Sequence, residues 1–399
     1  MQSGWRVGSI LGIPLYLDRS WFIILLLVTF VYGSNPLWQN QWGLLSWGIG
    51  LAMALLLFGS VLLHELGHSL VAKAQGIQVN SITLFLFGGI AAIDRESKTP
   101  GEAFQVAIAG PAVSFSLYIL LTLITTLFTI PLPLAALLGN VAQINLVLTL
   151  FNLIPGLPLD GGQVLKAIVW KATKSRIKGV RWAARMGLIL GWGAVGVGVL
   201  AYLAQPSLDL IWIVLIGGFA IRNASNYGRI ADLQETLSEL SAADAVTRDF
   251  RVLDANSTLS QFADEYLMQA TRAPMYFAAS DGRYRGLVTI EAVREIERSE
   301  WETRTLQSIA CPLNTIPAVR ETTPLAEVIN LLENSQLSRV VVLTPADAVA
   351  GVIDRGEIVQ AIASKMNLAI SDVVIQQIKD EGKYPPGLKL PALAKSLTE

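Results

Sequence analysis

From Leu44 to Leu63 the chain runs for twenty residues without one ionisable side chain, and it then sets His64, Glu65 and His68 within a single helical turn. No other histidine occurs in the 399 residues. About 20 apolar residues at about 1.5 Å each match the hydrocarbon thickness of a bilayer, so this stretch must be read first as a membrane helix. On a helix the spacing of four puts both imidazoles on one face, about 6 Å apart, with Glu65 beside them. The pattern H-E-x-x-H is the one in which two histidines hold zinc and the glutamate acts as base toward water. The plain alternative is that the three groups merely neutralise one another on an amphipathic face. An uncharged run leading into them argues against it, because ionisable groups are costly in lipid and are retained there for function.

The chain is 52% hydrophobic with a mean hydropathy of +0.50, and the excess lies almost wholly before residue 228. Two regimes follow, a membrane part and a soluble part. Net charge is -1 with a pI near 6.2, which gives no reason to expect a nucleic-acid partner. A single cysteine, Cys311, excludes an intramolecular disulfide. The amino terminus offers Arg6 and Arg19 but no short apolar core with a small-residue cleavage site after it, so no cleavable signal peptide is expected.

The expected fold is an all-α bundle of about six transmembrane helices with a small membrane-associated β element. The opening segment reads as a short strand or interfacial stretch, and the spans fall near 21–32, 44–68, 104–128, 134–154, 183–203 and 208–220. The third carries Ala109-Gly110-Pro111, read as a tight turn, and Val79 to Ile93 reads as a strand or hairpin at the membrane. Arg95, Lys98, Lys166, Lys171, Lys174, Arg176 and Arg222 all fall in alternate connections, while those near 33–42, 130–133 and 204–207 lack lysine and arginine. By the positive-inside rule both termini then face the cytoplasm, in an integral multi-pass protein of the cell (inner) membrane. His64 lies nine residues before Lys73, which places it about 13 Å into the bilayer.

A catalytic zinc needs a third protein ligand and an open position. The membrane part has seven acidic residues: Asp18, Glu65, Asp94, Glu96, Glu102, Asp160 and Asp209. Asp160 alone ends an apolar span within a P-L-D-G-G turn, and it is the expected ligand; its competing role is the N-cap of the following helix.

H-E-L-G-H, then F-G-G, then N-L-I-P-G-L-P-L-D-G-G resemble the site-2 protease family of intramembrane zinc metalloproteases, over about residues 1 to 228. The resemblance implies one zinc per chain on His64, His68 and Asp160, with Glu65 as the general base. It implies for Asn152 a part in binding substrate or stabilising the oxyanion, with Asn145 as the competing polar residue and an inter-helix hydrogen bond as the structural alternative. Phe87, Gly88 and Gly89 match the family's membrane-embedded strand, against which an unwound substrate pairs. There is no room for a PDZ-type domain between Ala92 and Phe104, which departs from many members.

After a linker at 229–240, two units at 241–300 and 301–366 repeat one order of helices and strands and resemble a tandem CBS pair of α/β type, followed by a loose tail at 367–399. Such pairs often bind adenine nucleotides, which singles out Thr289, Asp354 and Glu357. Each unit lacks one element, with Ala292 at the first unit's acid position and Asp354 where the second needs a hydroxyl. The expected activity is cleavage of a transmembrane segment of another membrane protein, regulated through the CBS pair, which also offers a surface for homodimers. The alternative is a CBS-gated transporter or channel with a structural metal site.

Overall fold

The protein, described by a computed structural model, is defined over residues 4–86, 88–267, 275–346, 348–385 and 387–398. It divides into two units, Met1–Ala231 and Asp232–Glu399.

In the first unit, strands β1 (Trp5–Ile10) and β2 (Ile13–Leu17) lead into helix α1 (Arg19–Gly33). Asp18 starts that helix by accepting a 2.9 Å hydrogen bond from the Ser20 amide, a standard use of aspartate at an N-cap. After the short α2 (Pro36–Trp42) comes α3 (Leu45–Ala74), whose 30 residues contain no proline and carry His64, Glu65 and His68 two-thirds of the way along. Strands β3 (Val79–Phe85) and β4 (Gly88–Ile93) form the expected hairpin. The amino-terminal hairpin joins it, β2 running parallel to β3, to give one sheet of order β1-β2-β3-β4. Ile13, Ile82 and Leu84 from the sheet pack with Trp21, Phe58 and Leu66 from α1 and α3, so the sheet is pinned beside the metal-motif helix.

Helix α4 (Pro100–Leu127) opens on a capping box: Thr99 Oγ1 accepts from the Glu102 amide at 3.2 Å, and Glu102 Oε2 accepts from the Thr99 amide at 3.1 Å. It then runs without a break through Gly110 and Pro111. The expected turn at A-G-P is therefore not a turn; the glycine serves a close helix crossing, described below. Helices α5 (Leu132–Asn152), α6 (Asp160–Thr173), α7 (Arg176–Ala204) and α8 (Leu208–Glu239) follow, with the proline and glycine cluster ending α5 as its sequence requires.

Among the described residues four helices, α3, α4, α5 and α7, are long and apolar enough to cross a membrane. Helix α1 is apolar but only 15 residues long, and α8 carries its apolar run in its first half before polar residues take over. Leu26, Leu55, Leu123, Ile189 and Leu200 stand exposed on these helices. So much exposed aliphatic surface fits lipid rather than water.

In the second unit β5 (Phe250–Asp254), β6 (Met275–Ser280) and β7 (Arg283–Val288) form one sheet, and β8 (Ala318–Arg320), β9 (Arg339–Leu343) and β10 (Val349–Asp354) another. Each has a parallel pair followed by an antiparallel one, so the repeat seen in sequence is a repeat in structure. The repeats also exchange their leading segments: Thr247 makes two 2.9 Å backbone bonds with Val352, and Cys311 two of 2.8 Å with Leu287. The stretch expected to be a linker is the polar end of α8, which continues unbroken to Glu239. The stretch expected to be a loose tail instead forms two helices, Asp372–Glu381 and Leu390–Thr398. Ile375, Ile378, Leu390 and Ala394 lie buried in the core beside Ile329 and Ile362, and that apolar spacing is what orders the segment.

Candidate metal centre and the cavity beside it

His64 and His68 are 4% and 8% exposed. Their Nε2 atoms lie 3.3 Å apart. Asp160 Oδ2 lies 3.0 Å from the first and 3.3 Å from the second. Two imidazoles from α3 and one carboxylate from the start of α6 thus direct three donor atoms at one point. Asp160 is the first residue of α6, whose N-cap is Leu159, and its carboxylate turns to the histidines rather than capping the helix.

The far sides of the rings are held as well. His68 Nδ1 donates a 2.6 Å hydrogen bond to the Val106 carbonyl, which can only accept. That bond fixes the tautomer, leaving the Nε2 lone pair directed inward. His64 Nδ1 lies 3.0 Å from Ser114 Oγ. Both partners sit on α4, which approaches the rings at Gly110. A Cβ there would press on the Nε2 atoms of both histidines, lying 2.7 Å from that of His64. The two Nε2 atoms and the Asp160 oxygen lie within 4.8 Å of one another, close enough to share one cation, and two nitrogens with one oxygen is a donor set that catalytic zinc takes. The residues fit the metal.

Glu65 lines a cavity of about 400 Å³ together with His68 and Asp160. Gly89 of β4 stands against it: a Cβ at Gly89 would meet the Glu65 side chain, with Oε1 at 3.2 Å. Gly88, at φ 135°, occupies backbone space that favours glycine. Phe87 lies outside the described residues. Asn152 ends α5 half-buried and does not line this cavity. Asn145 is fully buried, donating within α5 to the Val141 carbonyl at 2.9 Å and across to Ser60 Oγ of α3 at 2.8 Å, the latter being an inter-helix bond of the kind named as the structural alternative. Ser114, Gly110 and the Val106 carbonyl were not singled out from sequence; Gly110 sat in a recognised motif whose purpose was misread.

In the second unit, Thr289 and Asp354 both cap helices, accepting from the amides of Ala292 at 3.2 Å and Glu357 at 3.0 Å. Both line one cavity of about 460 Å³. Glu357 does not; its carboxylate is paired with Lys379 of the terminal segment.

Helices α3, α4, α5 and α7 are apolar enough to cross a membrane, and two histidines with one carboxylate beside a glutamate are the groups a zinc metallopeptidase uses. The sequence pattern of Peptidase family M50 matches residues 52–135 and 131–193, and that of the CBS domain matches 311–364. The protein sll0528 of Synechocystis sp. is 42% identical over 364 residues, covering 91% of this chain and 96% of its own. Rip3 of Mycobacterium tuberculosis is 29% identical, covering 91% and 93%, and both bear zinc metalloprotease names. The solved site-2 protease from Methanocaldococcus jannaschii is 32% identical and aligns with 56% of this chain and 95% of that one, at a TM-score of 0.41. This chain belongs to Peptidase family M50, the family of the site-2 proteases, and it carries a CBS domain.

Proposed function

We propose that the protein cuts a transmembrane segment of another membrane protein, within the bilayer and near its cytoplasmic face. The observation that carries this reading is the convergence of His64, His68 and Asp160, whose ligand atoms all lie within 4.8 Å of one another, beside Glu65 on a shared cavity.

His64, His68 and Asp160 would hold one zinc ion, with Val106 and Ser114 keeping the two rings in place. Bound there, zinc supplies Lewis-acid polarisation to water and to the scissile carbonyl. Glu65 takes a proton from the attacking water and delivers it to the departing amide nitrogen, as a positioned general base and then acid. Gly89 lets β4 lie flush with Glu65, so a substrate extended along β4 presents its peptide bonds to that carboxylate. Extension is required because helical peptide bonds are shielded by their own hydrogen bonds. Asn152 contributes to substrate binding from the end of α5. The basic connections set the cavity toward the cytoplasm.

The second unit is a regulatory module in this reading, and the cavity flanked by Thr289 and Asp354 supports a small-ligand site there, with adenine nucleotide as the candidate. Isothermal titration with AMP and ATP tests the ligand, and sedimentation in detergent tests a homodimer formed through these repeats. A transporter or channel would need no base at position 65.

Reconstituting the full chain in liposomes with single-span substrates tests the protease itself. Cleavage that stops on chelation, returns with zinc and is lost in Glu65→Gln is expected. Cleavage indifferent to chelator, or a fully active Glu65→Gln, would overturn the proposal.

A further inference from the structure

Between α7 and α8 lies a groove of about 660 Å³, lined by Trp192 and Val195 of the first helix and by Val214, Gly218 and Phe219 of the second, with Arg222 as the one charged residue on its wall. Two adjacent glycines shape it. A Cβ at Gly217 would lie 2.8 Å from the Gly191 carbonyl oxygen and 2.9 Å from the Val195 side chain, so the two helices cross there in close contact. A Cβ at Gly218 would meet nothing within 4 Å, so the surface beside the crossing stays open. Trp192 and Phe219 stand exposed along it.

Arg222 sits where a charge is costly. It is the only charged side chain on α8 between Asp209 and Arg229, which lie about 30 Å apart along the helix, the thickness of the hydrocarbon core. Arg222 stands about 10 Å short of Arg229 and so falls within that core. Its side chain is exposed, and among the described residues no carboxylate pairs with it. A guanidinium at that depth is stabilised by reaching the interface or by drawing lipid phosphate down to itself. From Arg222 the groove runs about 12 Å deeper, to Val214. A cation at the shallow end and an apolar furrow leading inward match the two halves of a phospholipid.

We propose that this groove binds one anionic glycerophospholipid, with its phosphate against Arg222 and an acyl chain along Trp192, Val195 and Phe219. Basic positions between membrane helices favour anionic headgroups. Arg185 adds to that preference without lining the groove. It is exposed, lies two turns before Trp192 on the same face of α7, and stands toward the Arg222 end, because α7 and α8 run antiparallel with Gly191 against Ile221 and Gly198 against Val214. Its charge disfavours the ammonium of a zwitterionic headgroup there. The site requires a bilayer only and is independent of the cleavage reading.

The test uses the full chain in nanodiscs of equal phosphatidylglycerol and phosphatidylcholine, with p-benzoylphenylalanine in place of Phe219. Irradiation is expected to attach one phospholipid, phosphatidylglycerol over phosphatidylcholine by about fivefold. The same crosslinker in place of Phe115, exposed on α4, is the control and is expected to show no preference. Arg222→Gln is expected to keep the adduct and lose the preference, and Gly218→Trp, which fills the furrow, to lose the adduct. Excess inorganic phosphate is expected to change neither. A preference equal at the two crosslinker positions, one that survives Arg222→Gln or disappears in phosphate, an adduct that survives Gly218→Trp, or an adduct with a second copy or a single-span substrate instead of lipid would overturn the site. Should either variant not fold, the comparison of the two crosslinker positions in otherwise unaltered protein decides alone.

Discussion

Ser114 Oγ lies 3.0 Å from Nδ1 of His64, from a different helix and 50 positions along the chain. A metal-ligating imidazole is oriented by what its other nitrogen touches, and such partners govern affinity through the ligand they hold. Ser114→Ala is expected to weaken zinc binding about 10- to 100-fold while the fold persists. Competition with a fluorescent chelator measures it, and an unchanged zinc affinity would remove Ser114 from the site.

Glu65 and Asp160 stand on the same cavity, and the proposed function gives them different tasks. Glu65→Gln is expected to keep its zinc and lose about 10²- to 10⁴-fold in rate. Asp160→Asn is expected to lose zinc as well, because it takes the only anionic ligand from the set. Elemental analysis of the two purified variants beside their cleavage rates separates the roles; equal zinc loss in both would contradict them.

Gly110 is where α4 meets both imidazoles, and a single methyl there has no room. Gly110→Ala is expected to abolish zinc binding at a site none of whose ligands has been changed. Zinc content of the purified variant, with circular dichroism to confirm the helices, reads this out.

Glu96 is pushed up by burial, but Lys166 and Arg176 outweigh that and hold its carboxyl below the usual glutamate range. A carboxyl lowered in the folded state contributes stability above its unfolded value near 4.3, and the contribution disappears as pH falls through the folded value. Glu96→Gln should therefore be less stable than the parent at pH 7, with the gap narrowing as pH falls below the unfolded value near 4.3. The difference should stay under about 1 kcal/mol, since half of the Glu96 side chain is exposed and solvent screens it. Thermal unfolding at pH 7 and pH 3 in detergent checks the sign, and a gap that does not narrow at pH 3 would refute it.

Leu390, in the last helix, is fully buried in the core of the second unit. Leu390→Ala is expected to cost about 2–5 kcal/mol, and ending the chain after Met366 considerably more. Limited proteolysis of the full-length variants should show cleavage of the soluble repeats well before the membrane helices; resistance equal to the parent would mean the terminal helices are dispensable.

The convergence of His64, His68 and Asp160 was legible in sequence because such groups are rare in their surroundings. Two histidines in a whole chain, and one aspartate closing an apolar span, stand out whatever the fold. The repeat in the soluble part was legible too, since each half carries the same alternation of apolar strands and helices. What stayed hidden depends on contacts between distant elements. Gly110 looked like a turn because Gly-Pro usually is one, and only the crossing of α4 over the two rings explains it. The amino-terminal strands could not be joined to β3 from local pattern, because parallel pairing of β2 with β3 spans the whole of α1 and α3. The terminal helices were missed because prolines and lysines between 383 and 391 suggested a solvated tail. Their buried isoleucines and leucine find partners only in the finished core.

Strand β4 ends its sheet, with a neighbour on one side alone among the described residues. Peptide groups are the same in every polypeptide, so if the proposed substrate pairs with this edge, the edge would grip it without spelling out which amino acids it should contain. Discrimination must then come from elsewhere: from how readily a lipid-embedded helix comes undone at a glycine, proline or asparagine, and from what flanks the loosened stretch.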